Sequence, residues 1–322
     1  MAEELQWNAD HAYEALRAAT GPKAVLRRNE PLRDKTTLRV GGPADLYFEP
    51  STENDLAAAL NFCSEHRAPF ILLGRGSNLV VRDGGVRGIV ISLAGAGFSG
   101  IQAEGCRLHC GAGALLKLIA SRARDLSLSG FEFLEGIPGS LGGALRMNAG
   151  AMGAAVFDRV ESVRVMDYSG RVSECAAAQM NAQYRGCPAL KNAIALSAVL
   201  TGEPGASRAE ISDTMKTLGR KRWQSQPKEP SAGCSFKNPK AMTAGKLIDL
   251  LGLKGLRVGG AVVSTVHGNF IVNDGTASAA DVLELMRQVR ERVKAAEGID
   301  LDPEVEVIGE DPLPARGTAS NR

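Results

Sequence analysis

An excess of charge of either sign is what the sequence most clearly lacks: 38 lysines and arginines face 36 aspartates and glutamates, a net of +2. Nucleic-acid binding, which calls for a basic field, has no support in that balance. No apolar stretch reaches the roughly 18–20 residues that span a bilayer, and the opening MAEELQWNAD has neither a basic start nor an apolar run. Neither a membrane segment nor a signal peptide is therefore expected. Histidines number only four: His11, His66, His109 and His267. The six cysteines (Cys63, Cys106, Cys110, Cys175, Cys187, Cys234) are scattered, which suits free thiols in a reducing, cytoplasmic setting rather than a disulfide framework. Cys106, His109 and Cys110 cluster in sequence, but their spacing fits no tetrahedral site, so no metal is expected.

Glycine is abundant, at 37 residues against 5% aromatics, and it follows no period. That composition implies many tight turns, or backbone lying against a ligand. The length of 322 residues allows two or three domains with real cores. Apolar spacing at Leu5, Ala9, Ala12 and Leu16 predicts an N-terminal helix within 1–22. Thr37 to Ala44 reads as a strand entering a turn. A helix at about 52–66, capped by Ser51 or Thr52, leads into the strand Phe70 to Leu73. Strands follow at Leu79–Val81 and Gly88–Ile91, closing a first αβ lobe over 23–95. Residues 96–203 read as a second lobe, with a helix at 113–125 and strands at Val160–Met166 and Ala193–Leu200. Thr201 to Gly205 is a boundary by its Gly and Pro content. A third unit over 204–310 holds helices at 207–222, 243–251 and 278–297, and strands near Asn269–Val272 and Glu304–Ile308. The polar tail 311–322 reads as disordered.

Two glycine segments carry the first chemical signals. Gly74-Arg75-Gly76-Ser77-Asn78 follows an apolar strand, and its successive N–H groups can curl around a diphosphate; an ordinary tight turn fits as well. Six glycines fall within 136–153, alongside Ile137, Leu141, Leu145 and Met147, too apolar for a surface linker. Backbone packed against a flat or elongated cofactor explains that run better than a structural loop does. Three further places carry reactive side chains, each with a blander alternative. Arg185, after Tyr184, reads equally as a surface arginine, and Cys234 as a small buried thiol. Alternation along 301–307 places Leu301, Val305 and Val307 on one face and Asp302, Glu304 and Glu306 on a solvated other.

Taken in order, these segments resemble the UDP-N-acetylenolpyruvoylglucosamine reductases. The shared motifs run from Thr37–Ala44 through Leu73–Leu79, Gly136–Gly153, Tyr184-Arg185, Gly233–Pro239, Ala244–Ile248 and Gly259–Val262 to Asp302–Gly309. They span roughly residues 30–310. The fold this resemblance implies is α+β: a two-lobed FAD-binding domain of the vanillyl-alcohol-oxidase type, followed by a smaller α+β substrate domain. The subtype implied has a compact substrate domain without the tyrosine-bearing loop that clamps substrate elsewhere in the family. The resemblance places the FAD pyrophosphate on Leu73, Gly74, Arg75, Gly76, Ser77, Asn78 and Leu79. Along the cofactor it lays Gly136, Ile137, Pro138, Gly139, Gly142, Gly143, Asn148, Ala149 and Gly150, and it adds Arg39, Gly41, Gly42 and Gly260 as cofactor positions. Tyr184, Asn238, Lys246 and His267 match substrate contacts. Met152 stands where the family often has tyrosine.

The implied activity is NADPH-dependent reduction of UDP-N-acetylglucosamine enolpyruvate to UDP-N-acetylmuramate in peptidoglycan precursor synthesis, by a cytoplasmic monomer with non-covalent FAD. Hydride reaches C3 from the reduced flavin and leaves negative charge at C2, which needs stabilisation and then a proton. By the match, Arg185 stabilises the enolate, Glu304 assists as acid or orienting partner, and Cys234 supplies the proton. Most members have serine there, and Ser235 is the neighbour; counting from Gly233 and from Phe236-Lys237-Asn238-Pro239 favours Cys234. A thiol with a pKa of about 8.5 donates a proton far more readily than a hydroxyl does. Two other readings remain at this stage. One is an oxidase or dehydrogenase of the same superfamily, whose flavin is often tethered to histidine; the other is a non-enzymatic nucleotide-binding protein that kept the fold.

Overall fold

The structure is a computed structural model and describes residues 7–312. Leu5 and the tail from residue 313 onward lie outside the described residues. The chain forms two compact units, each drawn from three segments. The first comprises Met1–Asn29, Leu46–Ser77 and Gly88–Lys228; the second comprises Glu30–Asp45, Asn78–Arg87 and Glu229–Arg322.

In the first unit, helix α1 (Ala9–Ala19) starts at Asn8, whose side chain accepts from the Asp10 and His11 N–H groups. It buries Ala12 and Leu16 beside Leu56, Ala59 and Leu60 of α2 (Glu53–Glu65). Thr52 and Asp55 form a capping box at the start of α2. Burial works against the Asp55 charge, but donors from Gly21, Ser51 and Thr52 outweigh it and hold the carboxyl below its usual range. A four-stranded sheet runs in the order Val25–Pro31, Pro43–Glu49, Val86–Ile91, Phe70–Leu72, with its last pair parallel. The expected strand from Thr37 to Ala44 is therefore misplaced: pairing starts at Pro43. Arg39 and Gly41 have φ of 59° and 115°, which no regular strand tolerates.

The rest of this unit is a five-stranded antiparallel sheet, ordered Val172–Ala176, Val160–Asp167, Ala193–Thr201, Arg107–Gly111, Ile101–Glu104. Against it pack α3 (Leu116–Asp125), α4 (Leu141–Met147) and α5 (Arg208–Ser225). Helix α5, which opened the expected third unit, belongs to the first. Helix α4 shows that 136–153, read from the sequence as backbone laid against a cofactor, also builds core. Leu141, Ala144 and Leu145 follow helical i, i+3, i+4 spacing and are all buried, even though Gly142 and Gly143 weaken the helix between them.

The second unit centres on an antiparallel sheet ordered Ser231–Cys234, Phe270–Asn273, Ala261–Val263, Arg257–Val258. It is covered by α6 (Ala244–Leu250) and α7 (Ala279–Glu297). Ser278 and Asp281 box the start of α7, and Gly298 ends it at φ 68°. Val282, Leu285, Met286, Val289 and Val293 make its buried stripe. At about 1.5–3 kcal/mol for each fully buried side chain, that stripe contributes about 8–15 kcal/mol before chain entropy is counted. Glu306–Ile308 pairs in parallel with Leu79–Val81. The expected strand from Glu304 is thus shorter, and its alternation fails. Leu301 and Val305 are buried, but Val307 is exposed and Glu304 is half-buried.

Candidate active site

In the first unit the Gly74–Ser77 turn leaves the strand Phe70–Leu72 and lies beside the start of α4. A Cβ on Gly74 would stand 3.2 Å from the Ser140 hydroxyl, and one on Gly139 would stand 3.7 Å from that of Ser77. Backbone bonds fix the second wall: Leu116 N–H donates to Gly139 O (3.1 Å), Leu141 N–H to Ala114 O (2.9 Å) and Gly142 N–H to Ala112 O (2.7 Å). Between the walls is a cleft of about 660 Å³. Among the expected cofactor positions, Leu73, Gly74, Arg75, Gly142 and Gly143 line it. Reading the sequence missed Ser140, Arg146, Leu190 and Ile194, which line it too. Two arginines, Arg75 and Arg146, and no carboxylate face the cleft, whose remaining lining is mostly apolar or glycine. An anionic group joined to a flat apolar one, as in a flavin dinucleotide, fits that set of residues.

The other expected positions of this unit lie around the cleft rather than in its lining. Gly136, Ile137 and Pro138 lead up to Gly139. Ala149 donates its N–H back to Ala144 O, and Gly150 pairs with Ala155 in a short hairpin whose tip is Met152, exposed and at φ 54°. Asn148 ends α4 in the left-handed region at φ 40°. Its side chain accepts from the Phe157 N–H (3.3 Å) and donates to Gln183 O (3.1 Å). That second bond ties the end of the glycine run to the turn bearing Tyr184 and Arg185. The turn is closed by two backbone bonds between Gln183 and Gly186, with Arg185 at φ 58°. A positive φ on an arginine costs of order 1 kcal/mol and is worth attention where function is suspected. Tyr184 is 62% exposed, and the Arg185 guanidinium lies 4.9 Å from the centre of its ring.

In the second unit, Cys234 ends the strand Ser231–Cys234 opposite Phe270, after an irregularity in register in which Gly233 adopts φ 80°. The two candidates for the proton donor differ sharply here. Ser235 is 4% exposed, whereas Cys234 is half-buried. The Ser235 N–H donates to Asn269 O (2.8 Å), and Ser235 O accepts from the Glu304 N–H (2.9 Å). Cys234 and Glu304 thus belong to adjacent, hydrogen-bonded stretches, extended by the Lys237 N–H to Asp302 O bond (2.8 Å). Asn269, buried, closes this corner: it accepts from the Phe236 N–H (3.0 Å) and donates to Phe236 O (2.7 Å). Asn78 donates its side-chain amide to Glu304 O (3.0 Å), and its carbonyl accepts from the Glu306 N–H (3.0 Å). Leu79 begins the strand that pairs there.

Of the expected substrate contacts, Asn238 accepts from the Ala244 N–H (3.1 Å) at the start of α6, on which Lys246 is exposed. His267 accepts from the Asn269 N–H at Nδ1 (3.1 Å) and packs edge-on against Phe270. Burial, with Lys254 adding to it, pushes its pKa down. Arg39 is exposed, on a stretch whose carbonyls at 38 and 39 accept from buried Asn273. Gly41, Gly42 and Gly260 leave no room for a side chain: a Cβ would come within 2.5 Å of the Val81 side chain, 2.2 Å of Asp83 O and 2.2 Å of Ala277 N, respectively.

Cys110 lies in the core, where burial pushes its thiol up to about 12, and His109 faces Glu104 at 3.1 Å. Among the described residues no group of three or more metal-ligating side chains is found, and no helix is long and apolar enough to cross a membrane.

Residues 226–308 match the family profile of the C-terminal domain of UDP-N-acetylenolpyruvoylglucosamine reductase, and residues 44–176 match that of an FAD binding domain. The chain is 43% identical over 291 residues to the UDP-N-acetylenolpyruvoylglucosamine reductase of Clostridioides difficile, covering 90% of this chain and 95% of the relative. It is 45% identical over 285 residues to that of Rhodopseudomonas palustris, covering 88% and 92%. The crystal structure of the Thermus caldophilus reductase superposes with a TM-score of 0.77 at 40% identity, covering 88% of this chain and 98% of that one. The expected α+β class, an FAD-binding part with a second α+β unit, agrees with these matches.

Proposed function

The chain belongs to the UDP-N-acetylenolpyruvoylglucosamine reductases, FAD- and NADPH-dependent oxidoreductases of peptidoglycan precursor synthesis, and we propose that Arg185, Cys234 and Glu304 carry its chemistry. When bound, FAD recharged by NADPH supplies the hydride that saturates the enolpyruvyl double bond. The residues must then deal with negative charge at C2 and in the adjoining carboxylate. Arg185, with its planar fork of N–H donors, holds that carboxylate and stabilises the enolate. The Cys234 thiol delivers its proton to C2, and Glu304 orients the substrate or shares in the proton transfer. Asn238, Lys246, His267 and Tyr184 hold the sugar nucleotide. Leu73, Gly74, Arg75, Gly142 and Gly143 hold the dinucleotide without a covalent tether. The first unit is the FAD-binding one and the second the substrate-binding one, in a cytoplasmic monomer whose partners are its small-molecule substrates.

The observation carrying this reading is the contrast at positions 234 and 235: a half-buried thiol next to a buried serine whose backbone is bonded on both sides. The test separates the two halves of the reaction anaerobically. NADPH should bleach the flavin of Cys234→Ala at the normal rate. Return of the yellow colour on adding UDP-N-acetylglucosamine enolpyruvate should slow by about 10²–10⁴-fold, the usual worth of a general acid. Cys234→Ser should recover part of that rate. Normal reoxidation by Cys234→Ala, with loss of it in Ser235→Ala, overturns the assignment.

A further inference from the structure

We propose that Arg146 holds the adenosine monophosphate half of the cofactor and is what makes this cleft prefer a dinucleotide to a mononucleotide. The inference rests on the reading that the first-unit cleft takes FAD. Arg146 lies on α4 three residues beyond Gly143, so the two share a helix face, and both line the cleft. One guanidinium N–H is anchored by donation to Leu190 O (2.7 Å), which fixes the plane of the group and leaves its other donors and its flat face for a ligand. No Asp or Glu lines the cleft to neutralise it. A half-buried arginine with no carboxylate beside it, in a lining that is mostly apolar or glycine, is a ready partner for an anion or a π-face.

The cleft itself indicates which half of the cofactor this is. Its apolar lining (Leu72, Ile91, Leu93, Leu190, Ile194) suits a purine. Arg185, the first unit's candidate for the reacting centre, is not among the lining residues. The reacting ring must meet Arg185, so the lined cleft is left for the far end of the dinucleotide, with Arg146 about one helical turn along α4 from Gly142 and Gly143. There the guanidinium stacks on the base and donates toward the nucleotide oxygens. An arginine in place of an apolar residue at this point on the helix is therefore a binding group, and its effect should be confined to ligands that carry adenosine.

The test uses flavin fluorescence to titrate the full-length apoprotein with FAD, FMN and riboflavin. Arg146→Ala should weaken FAD binding by at least tenfold while changing FMN and riboflavin affinity by less than twofold. Arg146→Lys, which keeps the charge but loses the planar fork, should fall between. The proposal is overturned if FAD affinity is unchanged, or if all three ligands weaken together, as loss of the Leu190 anchor alone would produce. Arg146→Gln and a melting temperature for each apoprotein keep the comparison readable should the alanine variant fold poorly. A cleft-filling Gly143→Leu tests the underlying reading separately, since a Cβ there has only Ser140 Oγ at 4.0 Å nearby. If Gly143→Leu binds FAD normally, the cleft assignment fails. If Gly143→Leu weakens FAD and Arg146→Ala does not discriminate FAD from FMN, only the role of Arg146 fails.

Discussion

Asn269→Ala should be among the most damaging single changes in the second unit that touch no ligand. Asn269 is 2% exposed, and its side chain satisfies both the N–H and the C=O of Phe236, itself 1% exposed. Alanine leaves both backbone groups buried without the partner that satisfied them. Each such group costs about 1–3 kcal/mol, so the loss comes to about 2–6 kcal/mol. That is a large part of the roughly 5–15 kcal/mol by which domains are stable. With a urea slope of about 2 kcal/mol per molar, the unfolding midpoint of this unit should drop by about 1–3 M. Asn269→Asp should behave differently with pH. At neutral pH its carboxylate still accepts from the Phe236 N–H but repels the Phe236 carbonyl; once protonated, it can donate to that carbonyl. The aspartate deficit should therefore shrink as pH falls through the carboxylate range, while the alanine deficit stays constant. Flavin absorbance, which reports the first unit, should survive in both variants while turnover falls. A midpoint for Asn269→Ala within 0.3 M of the parent, which at the same slope is only about 0.6 kcal/mol, refutes the reasoning.

Three other outcomes follow from the same structure. Burial pushes the Cys63 and Cys110 thiols up to about 12, so iodoacetamide at pH 8 should leave both unlabelled in the folded protein and label both in urea, with mass spectrometry locating the adducts. The Thr276 hydroxyl and Arg257 hold the Asp274 carboxyl down to about 2, so its stabilisation is present above the unfolded pKa of about 3.9 and lost as pH falls toward 2. Asp274→Asn should be less stable than the parent at pH 6 and converge with it near pH 2; parallel curves over that interval would count against the assignment. Gly41→Ala combines φ of 115° with a Cβ 2.5 Å from Val81, and should lower the stability of the second unit by about 1–3 kcal/mol of overpacking plus strain; an unchanged urea midpoint would show that the backbone there relaxes freely.

The elements that were legible in the sequence carried their own local signals. Helix α2 is signalled by Ser51 or Thr52 as a cap before it, and α7 by the amphipathic pattern of 278–297. The Gly74–Ser77 turn was found because glycines follow an apolar strand. Helix α4 was missed because Gly142 and Gly143 drew attention to backbone, although Leu141, Ala144 and Leu145 already showed a helical face, and Arg146 beside them was passed over for the same reason. The stretch from Thr37 to Gly42 was misread for a cause no local pattern contains. Its carbonyls at 38 and 39 bond to Asn273, more than two hundred residues away, and that bond supports a left-handed Arg39. Likewise nothing local distinguishes Glu304 from the acidic residues on either side; its position is fixed by Ser235 and Asn78.

Asn78 and Asn148 show how one residue type does comparable work in both units. Each lies at the end of a segment expected to follow the cofactor, where an exposed amide would serve as a ligand. Instead, each gives an N–H to a carbonyl in a stretch bearing a proposed catalytic residue: Asn148 to Gln183, two residues before Arg185, and Asn78 to Glu304 itself. A side-chain amide suits this because it can donate to one backbone and still offer an acceptor or a second N–H elsewhere. The loops carrying Arg185 and Glu304 are short and irregular, with few ladder bonds of their own, so a brace from a neighbouring element limits their motion more than a further apolar contact could. In the proposed reading the two asparagines serve the chemistry indirectly, by bracing the backbone beside Arg185 and at Glu304.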